Sequence, residues 1–235
     1  MPYLLLLALV LVAAFICVQI SLPVGKRSPS QTFLLIGLFF LSIGLVTELV
    51  LGFALDERAV RLFYWARGSL ALAWFGQSLL LFLFPNNPRI RWLSIAVVVG
   101  SIGLFALVLI SRVTAAQDWY STAKPIHGQM GDLLATNRPT RWGSITLNLY
   151  GLITLAAGPV YLLFLQPSKR DLSHWGPPLL IALGAIMLYV PLYLTSSAPS
   201  LGFYLVELFG PVALFAGLKN FTWHSLRTGG KRKTR

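Results

Sequence analysis

Residues 32–55 read TFLLIGLFFLSIGLVTELVLGFAL, and Glu48 is the only charged side chain among these 24 residues. At ~1.5 Å per residue, a helix of this length crosses the ~30 Å hydrocarbon layer of a bilayer. Six further apolar stretches of similar length follow one another along the 235-residue chain. The sequence therefore predicts an all-α, polytopic membrane protein with seven transmembrane helices, at Tyr3–Leu22, Thr32–Leu55, Leu62–Phe84, Trp92–Ile110, Trp142–Leu165, Trp175–Leu194 and Leu201–Phe221.

The composition agrees with this architecture, since 56% of the residues are hydrophobic and only 11% are charged. The polar residues suffice for short connections and a tail, which leaves no room for a soluble domain of ordinary size. We expect one transmembrane domain over residues 1–221, with an external loop at 111–141 and a basic cytoplasmic tail at 222–235. The first stretch lacks a positive n-region, so it is interpreted as a retained helix. A single cysteine, Cys17, excludes an internal disulfide.

The net charge of +12 is explained by where the basic residues lie relative to the spans. Nucleic acid is not needed as a partner to account for it. Because cytoplasmic connections carry an excess of Lys and Arg, the distribution predicts an outside N-terminus and an inside C-terminus, as in a multi-pass plasma-membrane protein. We expect the tail at 231–235 to contact anionic lipid headgroups. Of the 19 basic residues, 12 fall on the predicted inner side: Lys26, Arg27, Arg89, Arg91, Lys169, Arg170, Lys219, Arg227, Lys231, Arg232, Lys233 and Arg235.

An offset of 140 residues superimposes the first three predicted spans on the last three without a gap. Under this offset Phe63-Tyr64 falls on Phe203-Tyr204, and Arg67 falls on Glu207. Both sets of spans would run in the same direction, so the pattern is that of a parallel 3+1+3 pseudo-repeat, as known among small transporters. The alternative is chance, because apolar helices share Phe, Leu, Ala and Gly.

Three ionisable residues fall inside predicted spans, where charges are costly and therefore functional suspects. Glu48, Arg67 and Glu207 all lie roughly 8–10 Å below the outer end of their spans at the rise of a helix. This common depth predicts that Arg67 pairs with Glu48, Glu207 or both. Together with polar residues at similar depths they would line an outward-facing binding cavity, whose further members are Asn148, Tyr150, Tyr189, Tyr193 and Tyr204.

Two structural alternatives stay open for the same residues. The ion pair could serve packing alone, or Arg67 could extend to the headgroups while Glu48 is neutral. Gln77 and Ser78 are interpreted as hydrogen-bonding between helices. No His, Cys or carboxylate cluster, phosphate-binding loop or intramembrane Ser/His pair appears, so the sequence predicts neither an enzyme nor a metal or cofactor.

The stretch Arg61–Arg67, which reads RLFYWAR, and Tyr150-Gly151-Leu152 resemble helices three and five of the seven-helix sensor region of some bacterial histidine kinases. The chain is also similar to uncharacterised bacterial seven-helix integral membrane proteins through Asn148, LAAG at 155–158 and LIALG at 180–184. A microbial rhodopsin is disfavoured, because span seven lacks a central lysine. The resemblance implies a sensory role. Because only about fourteen residues follow span seven, we expect a module without its own output domain, whose signalling would need a separate protein partner.

These observations lead to three functional interpretations. The first is a small-ligand-binding or sensory seven-helix module. The second is a small transporter in which Glu48 and Glu207 couple movement to protons or cations. The third is an accessory subunit of a membrane complex. A polar path to the inner side would favour the transporter. A closed inner half would favour the sensory module, and a broad apolar outer face would favour the accessory subunit.

Overall fold

The computed structural model describes residues 28–51, 56–113, 134–135, 138–165, 176–193, 206 and 209–220. Of these residues 92% are helical, which confirms the predicted all-α class. The helices are α1 (Pro29–Leu51), α2 (Glu57–Leu83), α3 (Pro88–Leu109), α4 (Arg138–Leu165) and α5 (Gly176–Tyr193), and residues 209–220 are also helical. A short antiparallel ladder pairs β1 (Arg112–Val113) with β2 (Leu134–Ala135). The predicted first span and the basic tail lie outside the described residues.

Four of the described helices, α1 to α4, are long and apolar enough to cross a membrane, α4 over Arg138–Leu162. α5 contains a shorter apolar helix, Gly176–Leu188. Near the N-terminal ends of α3 and α4, Trp92 and Trp142 are 71% and 67% exposed. Exposed tryptophans at helix ends are typical of the membrane–water interface. The described helices thus indicate a membrane protein.

Helices α1 to α4 begin before the apolar runs that the sequence marks as spans. α2 begins at Glu57, because the Asp56 carboxylate accepts hydrogen bonds from the backbone N–H groups of Arg58 and Ala59 at 2.7 and 3.0 Å. At α3, Asn87 caps the first turn and Pro88 occupies its start, a position that needs no N–H donor. α4 likewise begins at Arg138 rather than Trp142, so the end of the predicted 111–141 loop is helical.

α2 lies at the centre of the described bundle, with α1, α3 and α4 packed around it. Between α1 and α2, Phe33 stacks on Trp74 at 4.8 Å between ring centroids, and the edge of Phe40 meets Trp65 at 5.1 Å. The two indole N–H groups donate to Ser101 of α3, that of Trp65 to its carbonyl and that of Trp74 to its hydroxyl. Both indole N–H groups therefore have acceptors, and these aromatic contacts join three helices.

The backbones of α2 and α4 touch where Gly151 faces Leu72 and Ala73. A Cβ atom at Gly151 would overlap the Leu72 carbonyl group, so only glycine fits at this crossing. Small residues at such crossings are how transmembrane helices approach closely. On the other side of α4 lies α5, and Gly184 of α5 in turn faces the backbone at Leu214 in the helical residues 209–220.

Candidate intramembrane polar site

A buried ion pair links the two central helices. Arg67 of α2 pairs through Nη1 with Oε2 of Glu48 on α1, and the two side chains are only 2% and 1% exposed. The guanidinium also lies over the Phe63 ring, with Cζ 5.5 Å from the centroid. Far from water, neither charge is stable without its partner. The prediction that Arg67 pairs with Glu48 is confirmed, whereas Glu207 lies outside the described residues.

Gly44 makes the pair sterically feasible. It lies one helical turn before Glu48, and a Cβ atom there would overlap the Cβ, Cγ and Cδ atoms of Arg67. The Arg67 side chain therefore lies across the bare backbone of α1 on its way to the carboxylate. In the same helix Thr47 donates its hydroxyl to the carbonyls of Ile43 and Gly44, at 2.8 and 2.9 Å. Because the Thr47 hydroxyl is used within its own helix, it does not compete with Arg67 for the Glu48 carboxylate.

Arg67 stands in a π-helical turn, Ala66–Leu70, that interrupts α2. In this wider turn the Ala71 N–H donates to the Ala66 carbonyl, five residues back rather than four. The Ser69 hydroxyl donates to the Tyr64 carbonyl, also five residues back, at 3.0 Å. Single π-helical turns within α-helices occur frequently at functional sites. The ion pair and the irregular turn thus coincide.

Two polar residues of α4 hold this turn from the other side. The Asn148 amide donates to the Gly68 carbonyl at 2.6 Å, and the hydroxyls of Ser144 and Ser69 share a hydrogen bond of 2.7 Å. Asn148 was predicted as a site residue, and the structure places it beside the turn that carries Arg67. Ser69 and Ser144 were not predicted, because isolated serines in apolar helices give no signal of which neighbour they meet.

Tyr150 belongs to a second polar level, around Gln77, instead of lying beside the ion pair. Its hydroxyl donates to Oε1 of Gln77, and the Gln77 amide donates to the Ser94 hydroxyl at 2.6 Å and to the Ile90 carbonyl at 3.1 Å. Ser78 exchanges hydrogen bonds with Ser30 of α1, each 2.8 Å. The interpretation of Gln77 and Ser78 as inter-helix hydrogen-bonding residues is confirmed.

The remaining predicted site residues are placed only in part. Tyr189 and Tyr193 belong to α5, while Tyr204 and Glu207 lie outside the described residues. Between the two polar levels, the α2–α4 interface is closed by the contact of Gly151 with the Leu72 backbone. A binding cavity lined by the full set stays a prediction.

Within the described part of the chain, no group of three His, Cys, Asp or Glu residues could hold a metal ion. The described site consists of the Glu48–Arg67 pair and the adjoining π-helical turn, in which Asn148 bonds Gly68 and Ser144 bonds Ser69. Comparisons with protein-family models, curated proteins and solved structures found no match to this chain.

Proposed function

We propose that this chain is a non-catalytic membrane module that binds a small ligand, or senses its surroundings, through the Glu48–Arg67 site. The observation that carries the proposal is the burial of this pair, whose Arg67 lies in a π-helical turn of α2. An ion pair is a weak source of net stability, because burying two charges costs about what their attraction returns. Its presence within apolar helices, together with an irregular turn, supports a functional role.

The site has the parts of a two-state element. In one state Glu48 neutralises Arg67; in the other, an anionic group of the ligand pairs with Arg67 while Glu48 takes up a proton. α4 would respond to the change, because Ser144 and Asn148 are bonded to the same turn. Tyr189, Tyr193, Tyr204 and Glu207 complete the proposed lining, and Tyr150 contributes only if it leaves Gln77.

The transporter alternative requires a polar path from the ion pair to the inner side. The second polar level around Gln77 provides hydrogen-bonding groups there, which is what favours this alternative. The contact between Gly151 and the Leu72 backbone separates the two levels along α2 and α4. This closure supports the module over the transporter.

The accessory-subunit alternative would place its partner on the exposed face of α3. Its buried residues are Val97, Ser101, Leu104 and Val108, which all lie on one face. The opposite face is apolar and open, with Val99 and Ile102 61% and 64% exposed. Lipid covers such a face as well as a protein would, so the face alone does not favour this alternative.

The topology belongs to the same proposal. Seven spans with an outside N-terminus, an inside C-terminus and a location in the plasma membrane are supported by the apolar stretches and by the distribution of basic residues. The resemblance to a bacterial sensor region supports a sensory role, and the basic tail supports contact with anionic lipids. Under the 3+1+3 pseudo-repeat, Arg67 and Glu207 occupy equivalent positions in the first and last sets of spans.

The proposal is tested by purifying the full chain in nanodiscs and identifying co-purifying small molecules by mass spectrometry. We expect a bound species that is lost in Glu48→Gln and in Arg67→Lys. Thr47→Val is the matched control, because Thr47 is adjacent to Glu48 and its hydroxyl bonds carbonyls of its own helix. If no species separates the pair variants from this control, the ligand-binding function is wrong. Substrate-dependent proton uptake in proteoliposomes that requires Glu48 would instead support the transporter.

A further inference from the structure

An apolar cleft of about 440 Å³ lies between α4 and α5, away from the ion pair. All of its lining residues, within 152–160 of α4 and 182–186 of α5, are apolar. Leu155 and Ala185 are buried in its floor, whereas Ile153, Val160 and Ile186 are 50–58% exposed at its rim. The cleft is thus open along the outer surface of the bundle, where a spanning helix meets hydrocarbon.

We propose that this cleft binds one acyl chain of an anionic bilayer phospholipid. Its volume lies within the range of ~300–1,000 Å³ that is typical of ligand pockets. The lining is aliphatic, without an aromatic ring to stack on a planar ligand and without a polar side chain to orient a compact one. These features fit an extended hydrocarbon chain.

The position of the cleft indicates which leaflet supplies the chain. Leu152 is ten residues beyond Trp142, so the cleft begins roughly 15 Å below the interfacial tryptophan and continues for about 12 Å to Val160. This is the half of the bilayer next to the connection between α4 and α5. That connection carries Lys169 and Arg170 against one acidic residue, Asp171. Basic residues close to the membrane surface favour anionic headgroups in that leaflet.

The width of the cleft depends on small side chains on both helices. Ala156 and Ala182 line it from α4 and α5, and neither is part of the buried core. Larger side chains there would fill the space without disturbing the contacts beneath. This inference goes beyond the ion-pair proposal and does not depend on it.

The test compares Ala156→Phe and Ala182→Phe, singly and together, with Leu149→Phe, a control at an exposed α4 position outside the cleft. Each full-length variant is reconstituted with phosphatidylglycerol or phosphatidylcholine, and retained lipid is counted by native mass spectrometry. We expect roughly tenfold weaker retention of phosphatidylglycerol in the double variant and no change in the control. A tenfold loss corresponds to about two methylene groups of the acyl chain that are no longer buried. Equal retention in the double variant and the control, or equal retention of both lipids by the unsubstituted chain, would overturn the proposal.

A second measurement uses the unsubstituted chain, so it does not depend on whether the variants fold. Phosphatidylglycerol with a photoreactive group in the acyl chain is cross-linked in nanodiscs, and the labelled peptides are mapped. We expect labelling concentrated in residues 152–160 and 182–186. Labelling spread evenly over these residues and the exposed face of α3 would show an ordinary lipid boundary and contradict the site.

Discussion

The Asn148 amide of α4 donates a 2.6 Å hydrogen bond to the Gly68 carbonyl, inside the π-helical turn of α2. One turn earlier on α4, Ser144 bonds Ser69 of the same turn. Two successive turns of α4 therefore hold the segment that carries Arg67. The position of the guanidinium depends on α4 as well as on Glu48.

Replacing Asn148 by leucine should destabilise the protein by about 1–3 kcal/mol, because a carbonyl in the π-helical turn loses its amide donor. The measurement is the midpoint of thermal or denaturant unfolding in detergent. Thr146→Leu, at an exposed position on the same helix, is the control and should stay within about 0.5 kcal/mol of the parent. Equal effects of the two substitutions would show that the bond does not contribute.

Removing Arg67 alone should cost more stability than removing both members of the ion pair. Arg67→Leu leaves the Glu48 carboxylate buried without its cation, an effect of about 3–5 kcal/mol in other buried pairs. In the double variant with Glu48→Gln most of this loss should be recovered. Stability in detergent is measured for both single variants and the double variant, as a double-mutant cycle.

A second cycle combines Arg67→Leu with Glu207→Gln and asks whether Glu207 belongs to the same cluster. Coupling in both cycles would support three interacting charges. If the effects of Arg67→Leu and Glu48→Gln add within about 0.5 kcal/mol, the ion pair contributes no coupling energy. The proposal of a functional site around this pair would then be wrong.

Gly44→Ala should destabilise the protein by about 1–3 kcal/mol, because the new methyl group would overlap the Arg67 side chain. Gly103→Ala is the matched control, since a Cβ atom at this exposed position of α3 meets nothing within 4 Å. There the helix propensity of alanine should leave stability unchanged or slightly raised. A loss of similar size at both positions would contradict the steric explanation.

Stability should fall at acid pH partly through Asp56. Hydrogen bonds from the backbone N–H groups of Ala59 and Arg58 hold the pKa of this exposed carboxyl below its ordinary value of 3.8. A depressed pKa in the folded state means that the stabilisation is present above pH 3.8 and is lost as the pH falls through the folded pKa.

In Asp56→Asn the helix cap is kept without the titrating group, so this part of the acid destabilisation should disappear. Unfolding midpoints between about pH 2 and pH 6 are compared for the parent and the variant, so that the range extends below the ordinary pKa of 3.8. Parallel curves over this range would exclude a contribution from Asp56.

The distribution of basic residues predicts that the tail is cytoplasmic and the 111–141 loop external. In a Cys17→Ser background, single cysteines at Ser121 and Ser225 are treated with an impermeant maleimide in intact cells. We expect labelling at Ser121 and protection at Ser225. The opposite pattern would reverse the topology.

Much of the helical architecture follows from apolar length alone. α1, α2, α3 and α4 were all predicted as spans, because a run of about twenty apolar residues has few alternatives to a membrane helix. Their starts were misplaced by three to five residues, since capping residues such as Asp56 and Asn87 extend a helix past its hydrocarbon-buried part.

The sequence predicted contacts in the site only where two residues had to meet because they lie at the same depth in their spans. The similar depths of Arg67 and Glu48 in their predicted spans indicated that they pair, because a buried charge needs an opposite charge beside it. Depth did not separate Asn148 from Tyr150, which are two residues apart and bond different levels of α2. The π-helical turn was also missed, since a regular helical period cannot reveal where one turn holds an extra residue.

The ladder between β1 and β2 places Val113 opposite Leu134, so the two ends of the 20-residue segment between them lie side by side. The ladder fixes these two ends next to each other whatever the length of the segment that joins them. Closing a longer loop costs little, roughly 0.6 kcal/mol for each doubling. The segment could therefore be shortened to a tight hairpin, or exchanged for a fluorescent or epitope-bearing insert, with α3 and α4 kept in place.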